Sequence, residues 1–496
     1  MAFGLFKKKE TGADFIYFGG NIFTQDPNNE WVTAVACKNG RIIAIGDDDS
    51  ILSLEEGETV VVDLEGEYLL PGFIDPSGHP ALEIFKKCSL YLNKEASLEV
   101  IINDLTKYIL LNSDTETYFA YGFSSALLEG KTLEEAAAVL DTLECPVPIV
   151  MLADDGNYVW LNTLAIEKVK ENAEKDKAPN ITLPYILYTL APFDHIVLEK
   201  ESLVLAEKYR TLGFTSVLSC GDPDYLQGVY QQCLVDMYQW GTLLQRYFGA
   251  LLVTSNLSAK GVIQRLLQRK TSCTELDNIF NYNMLKLIVD SSGENQTISA
   301  DNLANLCNEA GDNGFHIHID VIGTEALLSA YQAINGMRSA GYRKNTVIIA
   351  HAENIELINE TLENPMDFES LQIIESIPTI TKMPTFISSF NDFNKMTDLI
   401  DFYTIHAAEK LGFESQLGQI SNGYFADFTV FKTNPLEIEP NDFSKLTVSM
   451  TVINGKPTEI GDSSLEDEFF EELEDFDEER AGLDGLRGIN NLGGIV

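Results

Sequence analysis

From Leu70 to about residue 415, short apolar runs alternate with helical stretches. No other feature of the 496-residue chain constrains its fold as tightly. Strand-like runs fall at Tyr68–Asp75, Thr117–Tyr121, Pro148–Ala153, Phe214–Ser219, Tyr247–Val253, Leu285–Asp290, Phe315–Asp320, Thr346–Ala350 and Pro384–Ser388. Between them lie helical patterns such as Ser97–Leu111, Thr132–Thr142, Ser202–Leu212, Ala300–Ala310 and Thr324–Ala333. Parallel neighbours need a crossover long enough to hold a helix, so this alternation predicts a parallel sheet or barrel. The nine runs exceed the eight places of a closed (β/α)8 barrel, so at least one belongs to an insertion.

Both chain ends have a different texture. Ile16–Phe18, Ile22–Phe23, Val32–Cys37, Arg41–Ile45 and Thr59–Asp63 are strand-like, and Asn39-Gly40 between two apolar runs is a hairpin signal. After Leu417, Asp427–Phe431 and Thr447–Ile453 again read as strands, closed by Asn454-Gly455. The expected α/β layout is a tail over 1–12, a small β-sandwich from 13–70 and 416–460, a TIM-like barrel over 71–415, and a second tail over 461–496. In that last segment Leu465, Phe469, Phe470, Leu473 and Phe476 recur at helical spacing behind Ser463-x-x-Glu466, a capping-box start. It carries twelve acids against two Arg. The pattern predicts an acidic amphipathic helix over 463–480. Such a helix either packs on the body or serves as a hook for a protein partner or for self-association.

Charge narrows the partners. Thirty-four basic residues against 76 acidic ones give a net charge of −42, a surface that repels a duplex and an anionic membrane. No stretch is apolar enough for a membrane span, and the apolar residues at the N-terminus precede the lysines, the reverse of a secretory signal. Seven scattered cysteines without a C-x-x-C point to buried thiols in a reducing compartment. A cytoplasmic protein follows, with no nucleic-acid or membrane partner.

Several segments fall in the order of one family. Leu69 to Asp75 (LLPGFID) leads into a strand. Ala120-Tyr-Gly-Phe123 resembles G-x-G-W, 155–162 (DGNYVWLN) resembles D-G-H-x-x-W-V-N, and 213–217 (GFTSV) resembles G-I-T-S-V. Gly418 through Ala426-Asp427 resembles a closing G-x-x-x-x-G-x-x-A-D. Over residues 15–458 the chain resembles the amidohydrolase superfamily, and within it the third amidohydrolase family, the branch of N-substituted formamide deformylases. The resemblance implies a metal at the C-terminal mouth of the barrel. The first strand of such a barrel gives H-x-H, a middle strand a lysine that is commonly carbamylated, two later strands one His each, and the last strand an Asp that handles the proton.

Residue by residue the pattern is incomplete. Ser77-Gly78-His79 stands where H-x-H is expected, so Ser77 is a departed position and His79 a retained one. The histidine of D-G-H is Asn157. Lys286 matches the lysine, Asp320 stands where H-A-I-G-D has its histidine, and His351 matches R-I-E-H. The terminal G-S-D-x-P is not recognisable, and Asp392 is the nearest acid. His316 and His318 precede Asp320 at period two, which turns all three to the barrel interior. His318 is therefore either a substitute ligand or a hydrogen-bonded core residue. Asp290 faces the same way as Lys286 and is expected to hold that lysine as an ion pair. His195 and His406 match no ligand and are expected to be structural or surface groups.

Two readings stay open. In one, the ligand set is degenerate and the barrel is catalytically impaired, binding a small molecule at its mouth or a protein, with no cofactor. In the other, His79, His351 and Asp320 form a reduced mononuclear site for a divalent metal, zinc first, with Lys286 beside it. Two histidines, one carboxylate and a water make a normal catalytic count. The enzyme would then be a hydrolase of a non-peptide C–N bond, amide or formamide, with Asp392 or Asp290 moving the proton.

Overall fold

The computed structural model describes residues 12–459 apart from 77, 88, 113–114, 155–157, 177–180, 182, 191–194, 222–223, 273–275, 277–278, 292–296, 351–371, 375–392 and 394. Its centre is a curled parallel sheet, half of a barrel. The strands are β1 (Phe73–Asp75), β2 (Phe214–Ser219), β3 (Arg246–Val253), β4 (Phe280–Asp290), β5 (His316–Ile322), β6 (Val347–Ala350) and β7 (Gln372–Ile374), neighbours in that order. All pairings are parallel.

Alternation along each strand sorts the side chains to two faces. Leu251, Leu285, Leu287, Ile317, Ile319 and Ile349 meet the outer helices, among them Ala259–Ser272, Ala300–Asp312 and Thr324–Ser339. Ile74, Leu218, Phe248, Ala250, Met284 and Ile348 face inward and are covered by Ala407, Ala408 and Leu411. Those last residues belong to the helix Ala407–Leu411, which follows a π-helical turn over Phe402–His406. One crossover helix starts at a capped end: Ser299 accepts from the N–H of Asn302 ahead of Ala300–Asp312.

The expected strands over 214–219, 247–253, 285–290, 315–320 and 346–350 all lie in this sheet, with small differences at their ends. Two runs do not. Tyr118–Phe123 and Ile149–Ala153 pair with each other and with Leu90–Tyr91 and Val159–Leu161 in a separate four-stranded sheet. The surplus of runs over eight places is thus accounted for by an inserted sheet between β1 and β2, with its own core around Leu105, Leu140, Met151 and Trp160. The run Tyr68–Asp75 is also split. Tyr68–Pro71 pairs with Phe428–Phe431, Gly72 intervenes, and only Phe73–Asp75 enters the curled sheet. The run over 384–388 lies outside the described residues.

Two further sheets come from the chain ends. One is antiparallel and parallel mixed, over residues 15–63; the other joins 21–32 and 68–71 to 428–459. Tyr17, Val35 and Ile42 from the first share a core with Leu69, Phe428, Val430 and Val452 from the second. The join to the barrel is an ion pair. Arg246, first residue of β3, donates from Nε to Asp427 Oδ2 at 2.8 Å and from Nη2 to Oδ1 at 3.1 Å. Asn454 supports both partners, and the guanidinium lies 3.9 Å from the Phe425 ring centroid. No helix among the described residues is long and apolar enough to cross a membrane. The segments 1–11 and 460–496 lie outside the described residues.

Candidate functional site

Charged side chains meet on the inner face of the sheet along a line across β4 and β5. Lys286 stands directly beside His318 in the strand register, and Asp320 lies one inward position further toward the strand end. Lys286 Nζ is 2.6 Å from Asp320 Oδ1. His318 Nε2 is 3.2 Å from the same oxygen, and His318 Nδ1 is 3.3 Å from the Sγ of Cys220, which follows β2. The 3.2 Å approach of Nε2 to Asp320 Oδ1 lacks hydrogen-bond geometry, and which ring nitrogen carries the proton toward Asp320 or Cys220 depends on the tautomer. The result is one chain, Lys286–Asp320–His318–Cys220, across three strands.

Each protonation state has a cause. Burial drives the His318 imidazole down to about 3, with the nearby Lys286 charge acting the same way, so the ring is neutral. Burial pushes the Asp320 carboxyl up. The His318 ring and the charge of Lys286 outweigh it and hold the group well below the usual carboxylate range. Burial raises the Cys220 thiol, so it stays protonated.

Two close backbone approaches frame this line. A Cβ at Gly78 would collide with the Asp75 carboxylate, and the Gly78 carbonyl accepts from Cys220 N–H at 2.8 Å, tying the turn after β1 to the end of β2. Gly221 has φ +95° and lies against the Lys286 stem, where a Cβ would come within 2.8 Å of its Cγ. Asp75 accepts from Tyr209 Oη at 3.2 Å.

The expected site residues divide. Lys286, Asp320 and His318 are brought together. His79 is described, partly exposed, and its carbonyl accepts from Glu83 N–H at 3.0 Å at the start of the helix Pro80–Lys87. His351, which directly follows β6, lies outside the described residues, as do Ser77, Asn157 and Asp392. The carboxylate on Lys286 is Asp320 and not Asp290. Facing the same side is not enough, because two residues along a strand already separate groups by about 7 Å, whereas the register sets Asp320 beside the lysine. The backbone N–H of Asp290 is held by Thr297 Oγ1 at 3.0 Å. His316 sits lower on the inner face, where its Nδ1 accepts from Thr346 N–H at 2.9 Å. His406 is exposed beside Glu409, and the side chain of His195 lies outside the described residues.

Sequence reasoning missed Lys410 and the site role of Cys220. Lys410 is buried on the helix that covers the inner face, with the charges of Lys286, Asp75 and Asp320 around it, and burial lowers its pKa. In the sequence it looks like an ordinary cation in a last helical turn. Nothing local marks it as interior.

A sequence model of the amidohydrolase family matches residues 60–390 and 394–458. The chain belongs to the amidohydrolase family. Over 235 residues this amidohydrolase is 26% identical to the exoenzymes regulatory protein AepA of Pectobacterium carotovorum subsp. carotovorum, a match over 42% of this chain and 50% of that protein. The chain thus spans about half the length of that curated relative. Among solved structures it is similar to an uncharacterized metal-dependent hydrolase from Pyrococcus furiosus, with a TM-score of 0.52, 15% identity, and coverage of 85% of this chain and 100% of that one. An adenosine deaminase from Xanthomonas campestris with bound zinc gives a TM-score of 0.51 at 13% identity over 94% of this chain and 98% of that one. At such identities the likeness is one of fold. Among the described residues of this amidohydrolase, no group of three or more His, Cys, Asp or Glu is arranged to hold a metal ion.

Proposed function

We propose that this amidohydrolase is catalytically impaired and acts as a binding barrel, taking a small molecule at the mouth of the sheet or a protein. The observation that carries the reading is the Lys286–Asp320 contact of 2.6 Å. The resemblance puts a commonly carbamylated lysine at 286 and a ligand histidine where Asp320 stands. Forming a carbamate requires a neutral amine and yields an anion. A carboxylate against Nζ would repel the carbamate. Lys286 Nζ and His318 Nε2 also crowd Asp320 Oδ1, at 2.6 Å and 3.2 Å. As they stand, these residues do not fit a zinc ion.

The competing reading is a working hydrolase of an amide or formamide C–N bond with zinc on His79, His351 and Asp320. It requires Asp320 to leave Lys286. Metal content separates the two. Full-length protein is loaded with zinc, desalted and measured by inductively coupled plasma mass spectrometry. The binding-barrel reading expects far less than one zinc per chain, with no change in His351→Ala. A stoichiometric zinc that disappears in His351→Ala would overturn it.

A further inference from the structure

Two lysines are buried where the sheet meets its covering helix. Lys286 is held by Asp320. Lys410 is 8% exposed and stands on the helix Ala407–Leu411, whose other buried members, Ala407, Ala408 and Leu411, pack on the apolar part of the inner face. The helix is anchored at its end. Asn283 Nδ2 donates to the Leu411 carbonyl at 3.0 Å. Gly412, at φ +72°, ends the helix so close to His316 that a Cβ there would overlap the ring. Lys410 is thus delivered to the inner face by a packed helix and not by a loop.

Among the described residues the amine of Lys410 forms no ion pair. Glu409, its neighbour in sequence, turns outward to His406 Nδ1 at 3.3 Å. The titratable groups that act on Lys410 from further off are Cys220, Lys286, Asp75 and Asp320. Of the two acids, Asp320 is taken by Lys286, and Asp75 accepts from Tyr209 Oη at 3.2 Å. Burial disfavours the ammonium form of Lys410, and the charge of Lys286 acts in the same direction, against the two carboxylates. A desolvated lysine beside a second cation is the setting in which an amine keeps its lone pair near neutral pH.

We propose that Lys410 is a nucleophile for a small carbonyl compound, an aldehyde or ketone, which enters at the mouth of the sheet and is held there as an imine. The amine nitrogen bonds to the carbonyl carbon, and the C–O π pair moves to the oxygen. The carbinolamine then loses that oxygen as water, together with the two protons that the amine carried. No oxidant, reductant or metal takes part. The imine bears no obligatory charge, so it removes the cost of an enclosed ammonium. This inference names the ligand class of the binding-barrel reading and rests on that reading for an open mouth. Zinc content and imine formation are separate measurements, so either can fail alone.

The test uses the full-length chain near neutral pH. The probe is acetaldehyde with sodium cyanoborohydride, which reduces an imine and leaves the aldehyde, and peptide masses locate the ethylated lysines. An ordinary lysine, with a pKa of about 10.4, is almost wholly ammonium under these conditions, and each unit by which its surroundings lower that value raises the neutral fraction about tenfold. Ethylation of Lys410 is therefore expected to run at least about tenfold faster than that of the exposed Lys94 and Lys260. The preference should vanish in concentrated urea, where all three are solvated alike. Lys410 left unmodified in the folded protein, or ethylated no faster than Lys94 and Lys260, would overturn the proposal. So would a preference that survives in urea, because it would then come from local sequence and not from the fold.

Discussion

Two buried ion pairs sit on neighbouring strands of one sheet, and they are built differently. At the start of β3, Arg246 meets Asp427 through two nitrogens and two oxygens, Asn454 bridges both, and Phe425 covers the guanidinium. Their side chains are 0% and 1% exposed. In the middle of β4, Lys286 meets Asp320 through one nitrogen and one oxygen, and the carboxylate is 18% exposed. A planar fork against a carboxylate fixes geometry, whereas an ammonium is a point charge on a flexible stem. The first pair locks the terminal sheets to the barrel. The second is a single-point contact on the inner face.

The largest expected effect comes from breaking the locked pair. Asp427→Ala leaves a fully enclosed guanidinium without its counter-charge and should cost about 3–5 kcal/mol, read from urea denaturation followed by circular dichroism. Asp320→Ala should cost less, about 2 kcal/mol, because water can reach the exposed part of that site. Lys286→Met combined with Asp320→Leu should recover most of that loss. A larger cost at Asp320 than at Asp427 would reverse the comparison.

A pH-dependent effect sharpens the electrostatics around His318. His318 is held at about 3 and His316 at about 4, both by burial, against about 6.5 in the unfolded chain. Below pH 6.5 the unfolded chain therefore binds more protons than the folded one, and stability falls as pH drops toward 4. The slope is at most about 1.4 kcal/mol per pH unit for each histidine. Asp320 has the opposite timing. Its depressed pKa gives stability that is complete above about pH 4 and is lost only below it. A urea midpoint that stays flat from pH 6.5 to 4.5 would mean that these imidazoles are not enclosed as neutral rings.

Much of this was legible in the sequence because it depends on local pattern. Short apolar runs located the strands from Phe214 to Ala350, and helical spacing located the helices Ala300–Asp312 and Thr324–Ser339 between them. Sheet membership is not local. Thr117–Tyr121 and Pro148–Ala153 have the same apolar texture as barrel strands, and only their partners assign them to a separate sheet. The motifs placed Lys286 and Asp320 in the site, but the ion pair between them follows from register, which no spacing within one strand contains. Asp290, four residues from Lys286 on the same strand, was the natural partner on paper. Cys220 and Lys410 enter through tertiary contact alone, one from the end of β2 and the other from a helix folded over the inner face.

The central claim is that Lys286 is ion-paired with Asp320 and not carbamylated. The direct measurement is ¹³C NMR of full-length protein equilibrated with ¹³C-bicarbonate, with and without added zinc, compared with Lys286→Arg. The account predicts no carbamate resonance that depends on Lys286 under either condition. A slowly exchanging carbamate signal that appears with zinc and vanishes in Lys286→Arg would contradict it.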